Sequence, residues 1–315
     1  METHGIFWEM ECLWFGDEGN NLFKFDEIQK VRKLKYALMP LSFYNEKNPV
    51  PQVKGNNKRV LSLDVALMAS TKKKKNDASA IFINDLVQSN NTTYHSNIVY
   101  GETFEGLTTD ELGTIVMRYF YEYHCTDLVI DCQGLGQGTF DYIIKDQYDS
   151  ETGKVYKALN CINDDEMAKR CKVPNAKKVI WSVKANSKFN NDICVLLRNA
   201  IQNGRISLLV SDNECEDYIK ENYKGYSKLT PTEQNKLKMP YVQTTLGVYE
   251  LIKLDHEVKD GNIKVKEISG MRKDRYSSLA YNYWCACQLE LKLKPTNNTQ
   301  DEILKQFTIR SYKRK

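Results

Sequence analysis

Hydrophobic and polar positions along the chain change period several times, and each change predicts an element. From residue 59 to 104 the apolar residues fall in three short blocks. These predict strands over 59–67, 78–87 and 96–104, joined by polar turns as an antiparallel meander. The pattern then becomes helical: Leu112, Ile115, Val116, Tyr119, Phe120 and Tyr123 share one face, with Thr108 and Glu111 spaced as a capping box. A buried strand at 127–131 follows, then a glycine-rich loop from Gly134 to Gly138, then a helix carrying Phe140, Ile143 and Ile144.

Alternation continues in the second half. Weak strands are predicted at 155–159 and 178–182, and a firmer one at 206–210. Phe189, Ile193, Leu196, Leu197 and Ala200 form a helical face. Helices are expected over 217–226 and 240–258, a last strand over 263–268, and a closing helix over 274–291 with Leu279, Tyr283, Ala286 and Cys287 on one side. The order β-β-β-α-β-α followed by further α/β units implies an α/β fold, a mixed β-sheet with helices on both faces.

Residues 1–50 read differently, mixing Phe7, Trp8, Trp14 and Phe15 with a helical stretch at 26–38. Pro40, Pro49, Pro51 and Gly55 then mark a linker. The expected organisation is a leading piece at 1–56, a main domain at 57–295, and a basic tail at 296–315.

Composition narrows the class. With 315 residues, 41% hydrophobic and 11% aromatic, the chain has enough apolar material for a substantial core. Its apolar runs are too short to span a membrane, and its start lacks the basic and apolar blocks of a signal peptide. The nine cysteines are odd in number, scattered, and contain no CxxC pair, which favours reduced thiols over disulfides. Four isolated histidines argue against structural zinc. The net charge of +4 is too small to name a partner. Its clustering says more: Lys72, Lys73, Lys74 and Lys75 form a run that suits phosphate contact, or equally a solvated loop.

Three aspartates are the candidate chemistry. Asp64 interrupts the apolar strand Val60, Leu61, Leu63, Val65, where a carboxylate is costly unless paired or metal-bound. Asp131 ends a strand before a glycine loop, which also suits a turn residue. Asp274 opens a helix, which also suits a cap. Two strand ends and a helix start can meet at one sheet edge, where three carboxylates would repel and raise each other's pKa. Hard Mg²⁺ relieves that repulsion, and two such ions about 4 Å apart stabilise both the attacking and the leaving oxygen of a phosphodiester. Asp77 is a possible extra ligand, or a surface turn residue. Lys273 and Arg275 flank Asp274 and are candidates for the scissile phosphate, or ordinary surface charges. Ser277 and Ser278 lack a histidine partner and are expected to pack or bond the helix backbone. The loop's GxGxG spacing departs from the dinucleotide GxGxxG, so a tight turn is the favoured reading.

The stretches LSLDVA at 61–66, LVIDCQGLG at 128–136 and RKDRYSSL at 272–279 resemble, in order and spacing, the C-terminal nuclease domain of large terminase subunits from tailed bacteriophages. The resemblance covers about residues 58–292. It implies a ribonuclease-H-like fold, an endonuclease cutting double-stranded viral DNA during packaging, and two Mg²⁺ or Mn²⁺ ions held by Asp64, Asp131 and Asp274. It also implies a portal ring, a small terminase subunit and an ATPase motor domain as partners, in the cytoplasm of an infected bacterial host. Residues 1–56 resemble the end of that motor domain. No GxxxxGK[ST] loop occurs, so no ATPase activity is expected, and the chain reads as a fragment or a split gene product. Two rivals stay open: a non-catalytic docking module for DNA or portal, and another ribonuclease-H-like nuclease such as a resolvase.

Overall fold

The structure is a computed structural model and describes residues 21–66, 78–259, 261–266 and 272–294. Its elements run α1 (Phe25–Val31), β1 (Arg32–Leu34), a 3-10 turn at Leu41–Phe43, β2 (Lys58–Asp64), β3 (Ser79–Asn90), β4 (Thr93–Phe104), α2 (Thr109–Glu122) and β5 (Asp127–Asp131). They continue with α3 (Leu135–Ile143), β6 (Gln147–Asp149), β7 (Lys154–Tyr156), β8 (Leu159–Cys161), α4 (Asp165–Arg170), β9 (Lys177–Val183) and α5 (Ser187–Gln202). The last are β10 (Ile206–Leu209), α6 (Cys215–Asn222), a 3-10 turn at Tyr226–Lys228, α7 (Pro231–Ile252), β11 (Asp255–Lys259), β12 (Asn262–Lys266) and α8 (Asp274–Leu293).

One eight-stranded sheet organises these elements, in the order β1-β10-β4-β3-β2-β5-β9-β8. β3 is antiparallel to both β2 and β4, whereas β5 and β9 continue parallel to β2. The run β4-β3-β2-β5-β9, with only its second strand reversed, is the ribonuclease-H-like arrangement. Side-chain alternation divides the core. Val60, Phe82, Val129, Trp181 and Val183 face α1, α5, α7 and α8. Leu61, Leu63, Ile81, Ile83, Leu128 and Ile130 face α2 and α3. The strands are therefore buried on both sides, which explains why they read as apolar blocks with weak alternation.

Local signals hold where both partners of a motif are close in sequence. Thr108 Oγ1 accepts from Glu111 N at 3.4 Å and Glu111 Oε2 accepts from Thr108 N at 2.8 Å, closing the capping box of α2. Thr230 and Glu233 build a second box at α7, with Pro231 in its first turn. That helix begins nine residues earlier than the apolar pattern suggests, because its first turns are polar and half-exposed.

Four expectations change. The helix expected over 240–258 ends at Ile252, and Asp255–Lys259 form β11 instead. The helix expected over 26–38 stops at Val31, and the chain extends into β1, paired with β10. Residues 22–50 thus contribute an edge strand and the buried side chains Leu22, Phe23, Ile28, Val31, Leu38, Phe43 and Val50 to the same body as the rest. The strand expected at 263–268 is β12, which pairs with β11 in a separate hairpin instead of joining the main sheet. Finally, Gly136 and Gly138 lie inside α3, leaving Gly134 as the loop's turning residue.

Candidate active site

The parallel register of β2 and β5, Val60↔Asp127 through Leu63↔Ile130, brings the final residues Asp64 and Asp131 to adjoining strand ends. Alternation sends both side chains to the face that carries Val60 and Val129, which α8 covers. Asp274 is the first residue of α8. Three aspartates far apart in sequence are thereby assembled at one edge by strand register and one helix start.

A polar seam fixes α8 over β2. Ser278 Oγ and Ser62 Oγ are 2.9 Å apart, and Asn282 Nδ2 donates to Ser62 Oγ at 3.1 Å and to the carbonyls of Val60 and Phe82. These groups are buried, so a one-residue slip of α8 would strand several donors without partners. Ser62 lies two residues before Asp64 on the same face, and the Ser277 hydroxyl eases the charge of Asp64 itself. The serines therefore act across the interface, not only on their own helix backbone.

Each carboxylate is held differently. Asp274 Oδ2 accepts from Ala78 N at 2.9 Å, at the start of β3. Asp131 Oδ1 accepts from Gln133 N at 3.0 Å, and Ala185 N, just past β9, also bonds this carboxylate. Gly134, at φ 55° and ψ −116°, adopts a backbone essentially reserved for glycine. Gly136 packs so close that a Cβ there would lie 1.8 Å from the Asp131 carbonyl oxygen. Together they turn the chain sharply into α3 below the Asp131 carboxylate.

The electrostatics are those of crowded acids. Burial pushes the Asp64 carboxyl well above the usual carboxylate range, and Asp274 and Asp131 push it further. The Lys273 ammonium and the Ser277 hydroxyl act in the opposite direction. Asp131 is also raised, by burial, against the pull of its two backbone hydrogen bonds. Such a set of hard oxygens, close enough to repel yet held on rigid elements, suits a divalent cation. Among the described residues, no three acidic, histidine or cysteine side chains close on a single point. The fit therefore rests on the donor chemistry of the three aspartates and on the repulsion that Asp131 and Asp274 exert on Asp64, not on a finished ligand cage.

The flanking basic residues divide. Arg275, a sequence candidate for the phosphate, has its guanidinium turned inward. It donates to Glu250 Oε1 at 2.7 Å, Gln243 Oε1 at 2.9 Å and Thr103 Oγ1 at 3.4 Å, with its side chain only 11% exposed. Glu250 makes that inward position favourable, so the guanidinium of Arg275 is committed to partners within the fold. Lys273 is half-buried and its charge acts on Asp64. Asp77 and the four lysines Lys72, Lys73, Lys74 and Lys75 lie outside the described residues. Among the described residues on either side of them, the Ser79 hydroxyl accepts from Ala66 N at 3.0 Å and donates to Ala66 O at 2.7 Å.

One contributor is absent from the sequence-based candidates. Glu250 interrupts the apolar run Val248, Leu251, Ile252 of α7. That is the signal that singles out Asp64, and it could have found Glu250 as well. Burial raises the Glu250 carboxyl, while Arg275 and the Tyr276 amide draw it down.

No protein-family model matches the chain, and no curated protein matches it. Among solved structures, it is similar to the large terminase nuclease from thermophilic phage G20c with bound magnesium. That similarity has 12% identity and a TM-score of 0.45, over 84% of this chain and 97% of the other. The nuclease domain of the large terminase subunit gp2 of bacterial virus Sf6 matches at 8% identity and a TM-score of 0.45, over 84% and 98%. The large terminase nuclease domain of Thermus phage P74-26 matches at 14% identity and a TM-score of 0.39, over 84% and 94%.

Proposed function

We propose that this chain is a metal-dependent endonuclease that hydrolyses double-stranded DNA during viral genome packaging. One observation carries the reading: Asp64 ends β2 beside Asp131 at the end of β5, and Asp131 and Asp274 both raise the cost of its charge. A protein has little reason to build that repulsion except to neutralise it with a cation.

On this reading Asp64, Asp131 and Asp274 hold two Mg²⁺ or Mn²⁺ ions. Bound there, the ions would supply Lewis-acid stabilisation to the attacking and leaving oxygens of the phosphodiester. The protein's own groups set the geometry. β2 and β5 present two carboxylates from adjacent rigid strands, and the Ser62–Ser278–Asn282 seam fixes the third through α8. The Ser277 hydroxyl eases the charge of Asp64, and Lys273 offsets it. The lysines Lys72, Lys73, Lys74 and Lys75 grip the DNA backbone, which makes binding sequence-tolerant and salt-sensitive. A portal ring, a small terminase subunit and a motor domain are the partners this function requires.

Plasmid nicking in Mn²⁺ tests the proposal. Wild-type protein should convert supercoiled plasmid to open circles, and Asp64→Ala should lower the rate by about 100-fold or more, since loss of a ligand exceeds the effect of its supports. Equal activity in the two proteins would falsify the assignment. DNA binding without cleavage would instead favour a docking module.

A further inference from the structure

The helix that carries Asp274 begins without a cap of its own. Lys273 occupies the N-cap position of α8, and it has no side-chain oxygen to accept from the first-turn amides. The missing acceptor comes from another helix. Glu250, on α7, accepts from Tyr276 N through Oε2 at 3.1 Å and from Arg275 Nη1 through Oε1 at 2.7 Å. Its carboxylate is 6% exposed and sits at the positive end of α8, where a negative charge is favoured.

Arg275 is the immediate neighbour of Asp274, so the positions of these two side chains are linked. The guanidinium is engaged by Glu250, Gln243 and Thr103, and released from them it would be a mobile cation one residue from Asp274. A bidentate arginine pair would compete with a cation for the same oxygens. Glu250 thus has two effects on one ligand. It fixes the turn that carries Asp274, and it keeps the adjacent guanidinium away from it.

We propose that Glu250 is the positioning residue for Asp274, capping α8 from α7 and sequestering Arg275. The proposal rests on the reading of Asp274 as a metal ligand. It predicts that Glu250 governs metal affinity without touching metal or DNA.

The test is Mn²⁺ binding to the whole chain, read from the electron paramagnetic resonance signal of free Mn²⁺, at a temperature where circular dichroism shows each variant folded. Glu250→Gln keeps the shape and removes the charge; its affinity should fall by about 10- to 100-fold, the usual effect of losing a residue that orients a ligand. The double substitution Glu250→Gln with Arg275→Met removes the competing guanidinium and should recover most of that loss. Glu250→Asp keeps the charge but withdraws it by one methylene, and covers the case in which the amide variant does not fold; several-fold weaker binding is expected. Unchanged affinity in either single variant overturns the proposal. A loss that the double substitution leaves in place assigns Glu250 a packing role only, and also overturns it. Wild-type protein that takes up no more Mn²⁺ than Asp64→Ala overturns the metal reading first, and this inference with it.

Discussion

Two buried arginine–carboxylate pairs sit at different places on the same sheet, and they are built differently. Arg59, on β2, faces Asp85, on β3, with both carboxylate oxygens taken at 2.5 and 2.8 Å. The rest of its guanidinium donates to the carbonyls of Pro51 and Tyr123 at 2.9 and 2.7 Å. Every strong contact in that cluster ends on another part of the fold, and it stitches the proline-rich entry segment to the sheet. In the Arg275–Glu250 pair the carboxylate is the more buried of the two acids, 6% exposed against 24% for Asp85, and half of it serves the first turn of α8. The next residue along is Asp274. The same chemical pair therefore closes a structure in one place and poses a functional group in the other. What distinguishes them is the neighbouring group, not the pair.

Breaking the first pair should give the largest loss of stability. Asp85→Ala leaves the buried Arg59 charge with only the Pro51 and Tyr123 carbonyls as acceptors, and removing one member of a buried ion pair costs about 3–5 kcal/mol. Urea denaturation should show that loss, while Mn²⁺ affinity of the folded fraction stays at the wild-type value. A drop in affinity would show that the two regions are coupled and would erase the contrast. For Glu250→Gln the pattern should reverse, with metal affinity affected more than stability.

A half-buried acid sharpens the comparison because it has no arginine partner. Glu102 accepts from the hydroxyls of Tyr100 at 2.7 Å and Tyr119 at 2.5 Å, and burial raises its carboxyl above the ordinary value of 4.5. A raised carboxyl favours the protonated folded state. Its contribution is therefore fully present below the ordinary value and is lost as pH rises through the raised one. Glu102→Gln should flatten that decline. The gain should appear at neutral pH and be absent at pH 4. Thermal melts at pH 4 and pH 7 would show it. A variant equally destabilised at both values would mean that the phenol hydrogen bonds, not the charge, decide the site.

The same contrast between local and distant partners separates what the sequence makes legible from what it hides. The strands from Lys58 to Asp131 and the helix over Thr109–Glu122 are readable because their signals are local: apolar runs, a capping box, a helical face. Asp64 is readable because an acid in an apolar strand is costly wherever the strand goes. Glu250 carries the same signal in α7, but a helix offers a solvated face, so an acid among apolar residues excites less suspicion there. The inward turn of Arg275 is not legible at all. It depends on Gln243 and Glu250, whose position over α8 is set by tertiary packing. The entry segment misleads for the opposite reason. Its prolines and Gly55 do mark an irregular path, yet β1 and its buried neighbours return to the sheet through contacts with β10, such as Arg32 with Leu209, 177 residues away.

Whether Asp64, Asp131 and Asp274 form one cation site is measured directly by anomalous diffraction from crystals soaked in Mn²⁺. Anomalous peaks are expected within coordination distance of all three carboxylates, about 2.0–2.2 Å for an ion of this class, and should be lost in Asp64→Ala crystals. Well-ordered aspartates with no peak among them, or a peak held by other residues, would contradict the assignment.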